Sequence, residues 1–229
     1  MAKLTPVFTR ETFRFFKELG DNNRKAWMDE NRERYQATVV QPFRRLLEEL
    51  SPAMLELDAQ FGVFGRTGSN FSRINRDIRF ARDKTPYKTQ MYLKFSVPAP
   101  GYGETGQLYV GLSRNTVTAG FRLYSVGKRK ESVLATIGQA RVQAKPDWVA
   151  KQKKRLSRRY EGYWYTTQKG EWTKHSGWPV AAENWDKILA WIVRRKRTPA
   201  AATRPSFARD LKKVFRELYP LLRYTSLPD

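Results

Sequence analysis

The chain has 229 residues, no cysteine, and a formal charge of +22 from 44 Lys and Arg against 22 Asp and Glu. The length fits one large domain or two small ones. The lack of cysteine excludes disulfides, thiol catalysis and cysteine-ligated zinc or iron–sulfur sites. Because no apolar run reaches the roughly 20 residues of a membrane span and no signal-peptide core is visible, we expect a cytoplasmic protein without a membrane span.

The first quarter of the chain has the periodicity of amphipathic helices. Thr9 stands in an N-cap position, and Gly20 stands where a helix commonly ends. Pro42 and Pro52 each occupy a first-turn position, which predicts that each opens a further short helix. We assign no chemistry to this neutral helical part.

From Met91 the hydrophobic pattern changes to a period of two, which predicts β-strands. Gly111 and Gly120 fall inside these strands and indicate bulges or a close approach of backbone. A tight turn joins the second strand to the third, so we expect an antiparallel meander. The predicted strands cover 92–97, 107–112 and 117–124.

The part of the chain from 128 to 229 is predicted to be mainly helical, with an irregular aromatic stretch over 161–180. The expected helices cover 128–143, 146–160, 184–196 and 206–218. Together the elements predict an α+β fold in which N- and C-terminal helices flank a small antiparallel sheet. We expect a single domain over 1–229, with a helical part (1–60), the motif and strands (61–127) and a basic helical and aromatic part (128–229).

The most distinctive segment is 73–88, which holds six cationic side chains and two carboxylates in sixteen residues. The dipeptide Thr85-Pro86 disfavours a helix, so we expect an irregular or extended run that ends in a turn. Guanidinium groups at this density either clamp a phosphate or carboxylate or form a buried ion-pair network. The predicted anion ligands are Arg73, Arg76, Arg79, Lys84 and Tyr87.

The same segment resembles the signature of a bacterial family catalogued as domain of unknown function 2461. That signature reads R-x-x-R-D-x-R-F, followed by an acidic or amide residue, Lys, and then Tyr after two further residues. Its positions here are Arg73, Arg76, Asp77, Arg79, Phe80, Asp83, Lys84 and Tyr87. The resemblance runs along most of the chain and implies no assigned activity. If the family shares one activity, the resemblance places it at Arg73–Tyr87.

Two alternatives to an anion site remain open for this motif. In a structural alternative, Arg76–Asp77 and Arg79–Asp83 pairs fix the helices to the sheet, and no ligand is needed. In an enzyme alternative, Asp77 and Asp83 hold magnesium for chemistry on a phosphorylated or nucleic-acid substrate. Lys84 and Arg76 then stabilise transition-state charge and Tyr87 positions the substrate. The carboxylate spacing matches no metal motif, so no resident metal or cofactor is predicted.

The charge distribution points to a polyanionic partner, with DNA or RNA first. Residues 1–60 are balanced, whereas 61–127 carry +7 and 128–229 carry +15. We expect sequence-tolerant, salt-dependent binding, with Trp164 and Trp172 exposed as stacking surfaces. The alternative is a basic face that only keeps the protein soluble. The candidate nucleic-acid contacts are Lys151, Lys153, Lys154, Arg155, Arg158, Arg159, Arg194 and Arg195.

Overall fold

The computed structural model describes residues 5–97, 106–124, 137–168, 171–180, 185 and 187–227. Its helices are α1 (Arg10–Asp21), α2 (Lys25–Glu30), α3 (Arg32–Tyr35), a π-helical segment (Gln36–Val40), α4 (Gln41–Leu57), α5 (Ile137–Ala144), α6 (Trp148–Leu156), α7 (Pro199–Ala202) and α8 (Phe207–Ser226). Its strands are β1 (Gln90–Phe95), β2 (Gln107–Ser113), β3 (Thr116–Tyr124), β4 (Glu161–Gln168), β5 (Glu171–Ser176) and β6 (Ala190–Arg197). No helix in these ranges is long and apolar enough to cross a membrane.

The strands form one antiparallel sheet in the order β1-β2-β3-β6-β4-β5. With helices at both ends of the chain, the fold is α+β as predicted. The predicted N-cap of α1 is confirmed, because the Thr9 hydroxyl accepts a hydrogen bond from the backbone N–H of Glu11. The three predicted strands of the meander are also present. The sheet has twice the expected number of strands, so "small" understated it.

The additional strands lie where the sequence prediction was wrong. Residues 184–196 were expected to be helical, but Ala190–Arg197 is strand β6. Four consecutive residues, 190–193, are fully or almost fully buried, so the alternation that reveals a half-exposed strand is lost. The stretch 161–180, expected to be irregular, contains β4 and β5, whose aromatic side chains occupy both faces and hide the period of two.

Helix boundaries also differ from the prediction. Helix α4 runs without interruption through Pro52, so Pro52 does not open a separate helix. Helix α8 continues through Pro220 to Ser226, held by fully buried side chains at Leu218, Leu221 and Leu222. Proline interrupts helical hydrogen bonding, but buried apolar contacts compensate for that loss. The predicted helix over 128–143 begins, within the described residues, at Ile137; its first nine positions lie outside them, as does most of the loop predicted before β2.

The contacts group the chain into two compact units, each assembled from several segments. Unit 1 comprises 1–95, 110–118 and 196–213, and unit 2 comprises 96–109, 119–195 and 214–229. The core of unit 1 includes Phe8, whose ring contacts Phe43 at 5.1 Å and Phe207 at 6.0 Å between centroids. The core of unit 2 surrounds Trp191, which contacts Phe121, Trp178 and Trp185 edge-on. The arginine-rich motif lies in unit 1.

Candidate functional site

The motif is an irregular loop with a short paired base, as predicted from its proline. Asn75 and Tyr87 form an isolated antiparallel bridge. On either side of that bridge, Arg76 N donates to Pro86 O at 2.8 Å and Lys88 N donates to Ile74 O at 2.8 Å. Residues 77–85 therefore project from a fixed base. Phe80, the aromatic residue of the motif, lies in this projecting part and is 95% exposed.

The ion pairs of the loop differ from those predicted. Arg76 pairs with Asp83 at 2.5 Å and Arg79 pairs with Asp77 at 2.7 Å. Neighbours such as residues 76 and 77 point in opposite directions in extended backbone, so they cannot pair directly. The turn instead brings Asp83 back to Arg76, whose guanidinium also donates to the carbonyl and hydroxyl oxygens of Thr85.

Both carboxylates of the loop are ionised at neutral pH, and each accepts hydrogen bonds from an arginine of the loop. The backbone N–H of Thr85 lowers the pKa of Asp83 to about 2, assisted by the Arg76 guanidinium and the Thr85 hydroxyl. The Arg79 side chain lowers the pKa of Asp77, assisted by its own backbone N–H. The two candidate magnesium ligands therefore each pair with an arginine. Within the described residues no three His, Asp or Glu side chains are grouped to hold a metal ion.

Two other predicted anion ligands are also engaged by the protein. Lys84 Nζ donates to the carbonyl oxygens of Ile78 at 3.0 Å and Arg79 at 3.4 Å, which closes the loop. Tyr87 is only 8% exposed, its backbone pairs with Asn75, and its N–H donates to the Asn23 side chain at 3.0 Å. Four of the five predicted ligands, Arg76 and Arg79 included, thus contribute to the shape of the loop.

The fifth ligand, Arg73, has a different environment. Its exposed side chain makes no hydrogen bond or ion pair with any described residue. Arg73 lines a pocket of about 450 Å³ together with Arg44 of α4, which likewise has no such partner. Among the described residues of the lining, these two arginines alone carry a charge. The other lining residues are Tyr35, Gln36, Val40, Thr67, Phe71, Ser72, Ile74, Asn75 and Met91.

One wall of the pocket is the π-helical segment, which lies between α3 and α4 in a continuous helical run. Such segments are rare and often occur at functional sites, because the extra residue redirects the side chains that follow. Tyr35, at the start of this wall, donates its hydroxyl to Met91 Sδ at 3.9 Å. Burial raises the pKa of Tyr35 to about 12, against the opposing charge of Arg32, so its hydroxyl stays neutral.

Arg34, close to the pocket in sequence, shows what a structural arginine looks like in this fold. Its guanidinium pairs with Glu11 and Glu18 of α1, both at 2.5 Å. It also lies 5.8 Å from the centroid of the Phe15 ring.

Sequence reasoning missed Arg44 because helical periodicity places it on a polar face, like any solvated arginine. No local sequence signal distinguishes Arg44, because Glu48 stands four residues later on α4, although the two form no ion pair in the structure.

The residues predicted to contact nucleic acid lie in unit 2 and are partly neutralised. Glu217 of α8 pairs with Arg159 at 2.5 Å and Arg195 at 3.3 Å. Further pairs join Arg194 to Glu161 and Lys151 to Asp147. Arg155 donates to Gln152 and to the backbone carbonyl of Glu217. Lys153, Lys154 and Arg158 are exposed and bond to no described residue.

The two tryptophans predicted to be exposed differ. Trp172 is 48% exposed, as expected. Trp164 is buried, and its ring stacks on His175 at 4.1 Å between centroids, so that prediction was wrong. His175 also hydrogen-bonds the hydroxyl of Thr166 at 2.8 Å. The single histidine of the chain is thus packed and partnered.

A comparison with proteins of curated function finds no match to this chain. A comparison with protein families matches residues 11–224 to the family described as conserved hypothetical protein (DUF2461). The matched range contains the motif loop, the pocket and the whole sheet, and it spans nearly the entire chain. The chain therefore belongs to the DUF2461 family.

Proposed function

We propose that the protein binds a small organic anion in the pocket between α4, the π-helical segment and the start of the motif. The observation that carries this proposal is the pair Arg44 and Arg73. Both line the pocket, neither bonds to a described residue, and no acid lies in the lining. An anionic group supplied by a ligand would satisfy both guanidiniums.

The lining chemistry favours a ligand that carries a phosphate or carboxylate on a carbon skeleton. Guanidinium groups bind such anions through forked, charge-assisted hydrogen bonds. Asn75 and Thr67 add polar groups that can orient the ligand, while Val40 and Met91 add apolar surface for its carbon atoms. A volume of about 450 Å³ lies within the usual range for metabolite sites and exceeds what a bare inorganic ion needs.

The strength of binding can be bounded from the hydrogen bonds. Each charge-assisted hydrogen bond contributes roughly 1.5–3 kcal/mol, and two forked arginines offer about four. Association itself costs at least about 4 kcal/mol. The remainder is at most about 8 kcal/mol, so a well-matched anion should bind with a dissociation constant no tighter than roughly 1 µM.

The proposal divides the motif between two roles. Arg76, Asp83 and Lys84 hold the loop in shape through the bonds described above. Arg73 lies before the paired base of that loop and lines the pocket. The family motif is thus interpreted as one binding arginine followed by the residues that keep the adjoining backbone in place.

The test is ligand-induced thermal stabilisation, followed by titration calorimetry on any anion that stabilises. A panel of sugar phosphates, nucleotides and di- and tricarboxylates is compared with chloride at equal ionic strength. Wild-type protein is compared with Arg44→Gln and Arg73→Gln. Arg82→Gln is the matched control, because Arg82 is an exposed arginine of the same loop outside the pocket lining.

We expect at least one anion to raise the melting temperature of wild-type protein and of Arg82→Gln. Arg44→Gln and Arg73→Gln should each bind that anion at least about tenfold more weakly, and the rise in melting temperature should shrink accordingly. A tenfold loss corresponds to one charged hydrogen bond or more. If all three variants lose stabilisation equally, the effect is general charge screening and the proposal fails. If no anion stabilises wild-type protein at about 10 mM, the proposal also fails.

A further inference from the structure

A second, independent feature lies on the sheet in unit 2. In β4, Tyr163 and Tyr165 point to one face of the sheet and Trp164 to the other, as strand alternation requires. The strand register places Tyr165 opposite Lys174 of β5, and Tyr163 opposite Ile192 of β6. We call the face that carries Tyr163 and Tyr165 the tyrosine face.

Cations and aromatic rings alternate across the tyrosine face. Lys174 Nζ lies 4.3 Å from the centroid of the Tyr163 ring, and Arg194 Cζ lies 4.8 Å from the same centroid. Tyr165 contacts both Tyr163 at 5.9 Å and Trp172 at 5.7 Å between centroids. The rings hold the cations in place, and the cations remain available for further contacts at their outer edges.

The pattern continues onto the next strands of the same unit. In β3, Arg122 lies over the rings of Tyr109 and Tyr124, at 4.8 Å and 5.8 Å from their centroids. A Cβ at Gly120 would lie 2.7 Å from Arg194 Cβ on the adjacent strand, so Gly120 and, by strand alternation, Arg122 and Tyr124 share the face of Arg194. The face therefore carries tyrosines with interleaved cations from β2 to β5, of which Tyr109 is buried and Tyr124, Tyr163 and Tyr165 are partly exposed.

Ala190, Ile192 and Tyr109 on the tyrosine face are buried, but the two faces differ at their other large side chains. On the opposite face, Trp191 and Phe121 are fully buried, and Trp164 and Trp178 are nearly so. On the tyrosine face, by contrast, Trp172 is 48% exposed and Lys174 is exposed. Core packing does not explain why Trp172 is half exposed next to Lys174, since a core aromatic side chain would be buried.

We infer that the tyrosine face binds single-stranded nucleic acid, with Trp172 and Tyr165 stacking on unpaired bases and Lys174 and Arg194 contacting phosphates. Aromatic side chains on a sheet surface are suited to this, because every base has a flat face and each stacked base contributes roughly 1–3 kcal/mol. Interleaved cations supply the positive charge that phosphate groups require. Glu161 bonds to Arg194 at 2.5 Å and would be displaced from it or share it with a phosphate.

The geometry favours a single strand over a duplex or an acidic peptide. The bases of a duplex are stacked on one another, so their faces are not available to Trp172. An acidic peptide would use the cations but would gain nothing from the exposed indole ring. Trp172 and Arg194 are already among the contacts predicted from the sequence, and the structure adds Tyr165 and Lys174 to them. The predicted α6 arginines are left out of the site, because Arg155 and Arg159 bond to Glu217 of α8.

The experiment is fluorescence anisotropy with labelled poly-uridine, poly-deoxythymidine, a duplex of the same length and polyglutamate, each over a salt series. Wild-type protein is compared with Trp172→Ala, Lys174→Gln and the double variant Lys153→Gln/Lys154→Gln. The double variant is the matched control, because it removes exposed charge from α6 and leaves the tyrosine face intact. Arg73→Gln is included to separate this site from the anion pocket.

We expect a single strand to bind more tightly than the duplex, with Trp172→Ala weakening it at least about fivefold. Lys174→Gln should reduce the slope of log affinity against log salt by about 0.7, the loss of one phosphate contact. The α6 variant and Arg73→Gln should keep the stacking-dependent affinity. Loss of binding in the α6 variant with no effect of Trp172→Ala would overturn the inference, as would equal binding of polyglutamate or of the duplex. An RNA or DNA preference would identify the natural strand.

Discussion

Asn23 pairs with the backbone of Tyr87 through both ends of its amide group. The Tyr87 N–H donates to Asn23 Oδ1 at 3.0 Å, and Asn23 Nδ2 donates to the Tyr87 carbonyl at 2.8 Å. One side chain thus bonds to both the backbone N–H and the carbonyl oxygen of Tyr87, at the base of the motif loop. The turn between α1 and α2 is thereby tied to the segment that leads into β1.

The first prediction is that Asn23→Ala destabilises unit 1 and loosens the loop base. Two hydrogen bonds to partly buried backbone groups are lost, so we expect the free energy of unfolding to fall by about 1–3 kcal/mol. Urea denaturation measures the loss. Gln60→Ala is the control, because it removes an exposed amide side chain at a turn position. It should change the free energy of unfolding by less than about 0.5 kcal/mol. Equal values for the two variants would show that the Asn23 bonds contribute nothing.

The second prediction concerns pH. The pKa of Asp83 in the folded protein is about 2, below its ordinary value of 3.8. A depressed pKa stabilises the loop above the ordinary value, and that stabilisation is lost as the pH falls from about 4 to 2. We expect the Thr85 amide, which donates to Asp83, to change its NMR chemical shift with a midpoint near pH 2.

Two controls separate this titration from global unfolding. Amides of the α4 core report unfolding of unit 1, and the Thr85 transition should occur without theirs. In Asp83→Asn the transition should be absent, because the amide side chain does not titrate. A midpoint near pH 4 in wild-type protein would mean that the bonds from Thr85 and Arg76 do not favour the ionised form.

The third prediction separates a shielded ion cluster from an exposed ion pair. Glu217 receives hydrogen bonds from Arg159, Tyr160 and Arg195, and its side chain is 27% exposed. Glu217→Gln should lower the free energy of unfolding by about 1–3 kcal/mol, because partly buried cations lose their counter-charge. Glu161→Gln removes an acid that is 48% exposed and should cost less than about 1 kcal/mol. Chemical denaturation of both variants measures the two losses. A larger loss for Glu161→Gln than for Glu217→Gln would contradict the prediction.

Local sequence signals predicted much of this fold, and their failures have physical causes. The cap at Thr9 and the period of two in β2 and β3 depend on neighbours in the chain, so they were visible. Strand β6 was missed because its first four residues are buried on both faces, which removes the alternation. A continuous apolar run of that length fits a helix or a strand equally well until its tertiary neighbours are known.

The candidate site was predictable in part for the same reason. The arginine density singled out 73–88 as a candidate, and its proline predicted the irregular backbone that the structure has. The partners of each arginine depend on how the loop folds back, so Arg76 pairs with Asp83 seven residues away and not with its neighbour Asp77. The pocket combines Arg73 with Arg44 of a helix 29 residues earlier, a relationship that exists only after folding.

The last prediction tests the two glycines that the sequence marked inside strands. A Cβ at Gly120 would lie 2.3 Å from the carbonyl oxygen of Val193 and 2.7 Å from Arg194 Cα, both backbone atoms of the adjacent strand. A Cβ at Gly111 would instead meet the ring of Tyr92 at 2.3 Å. A side chain can rotate away, whereas paired backbone cannot. Gly120→Ala should therefore lower the free energy of unfolding by about 3 kcal/mol or more, and Gly111→Ala by about 1–3 kcal/mol.

A double-mutant cycle checks the cause. In a Tyr92→Ala background the ring is absent, so Gly111→Ala should cost less than about 0.5 kcal/mol, the residual expected of independent sites. Gly120→Ala should cost the same in that background as in wild-type protein, because its obstacle is backbone. If removing the Tyr92 ring fails to rescue Gly111→Ala, the cost at position 111 comes from the strand backbone itself. Both glycines would then be needed for strand geometry, and the distinction drawn from their neighbours would be wrong.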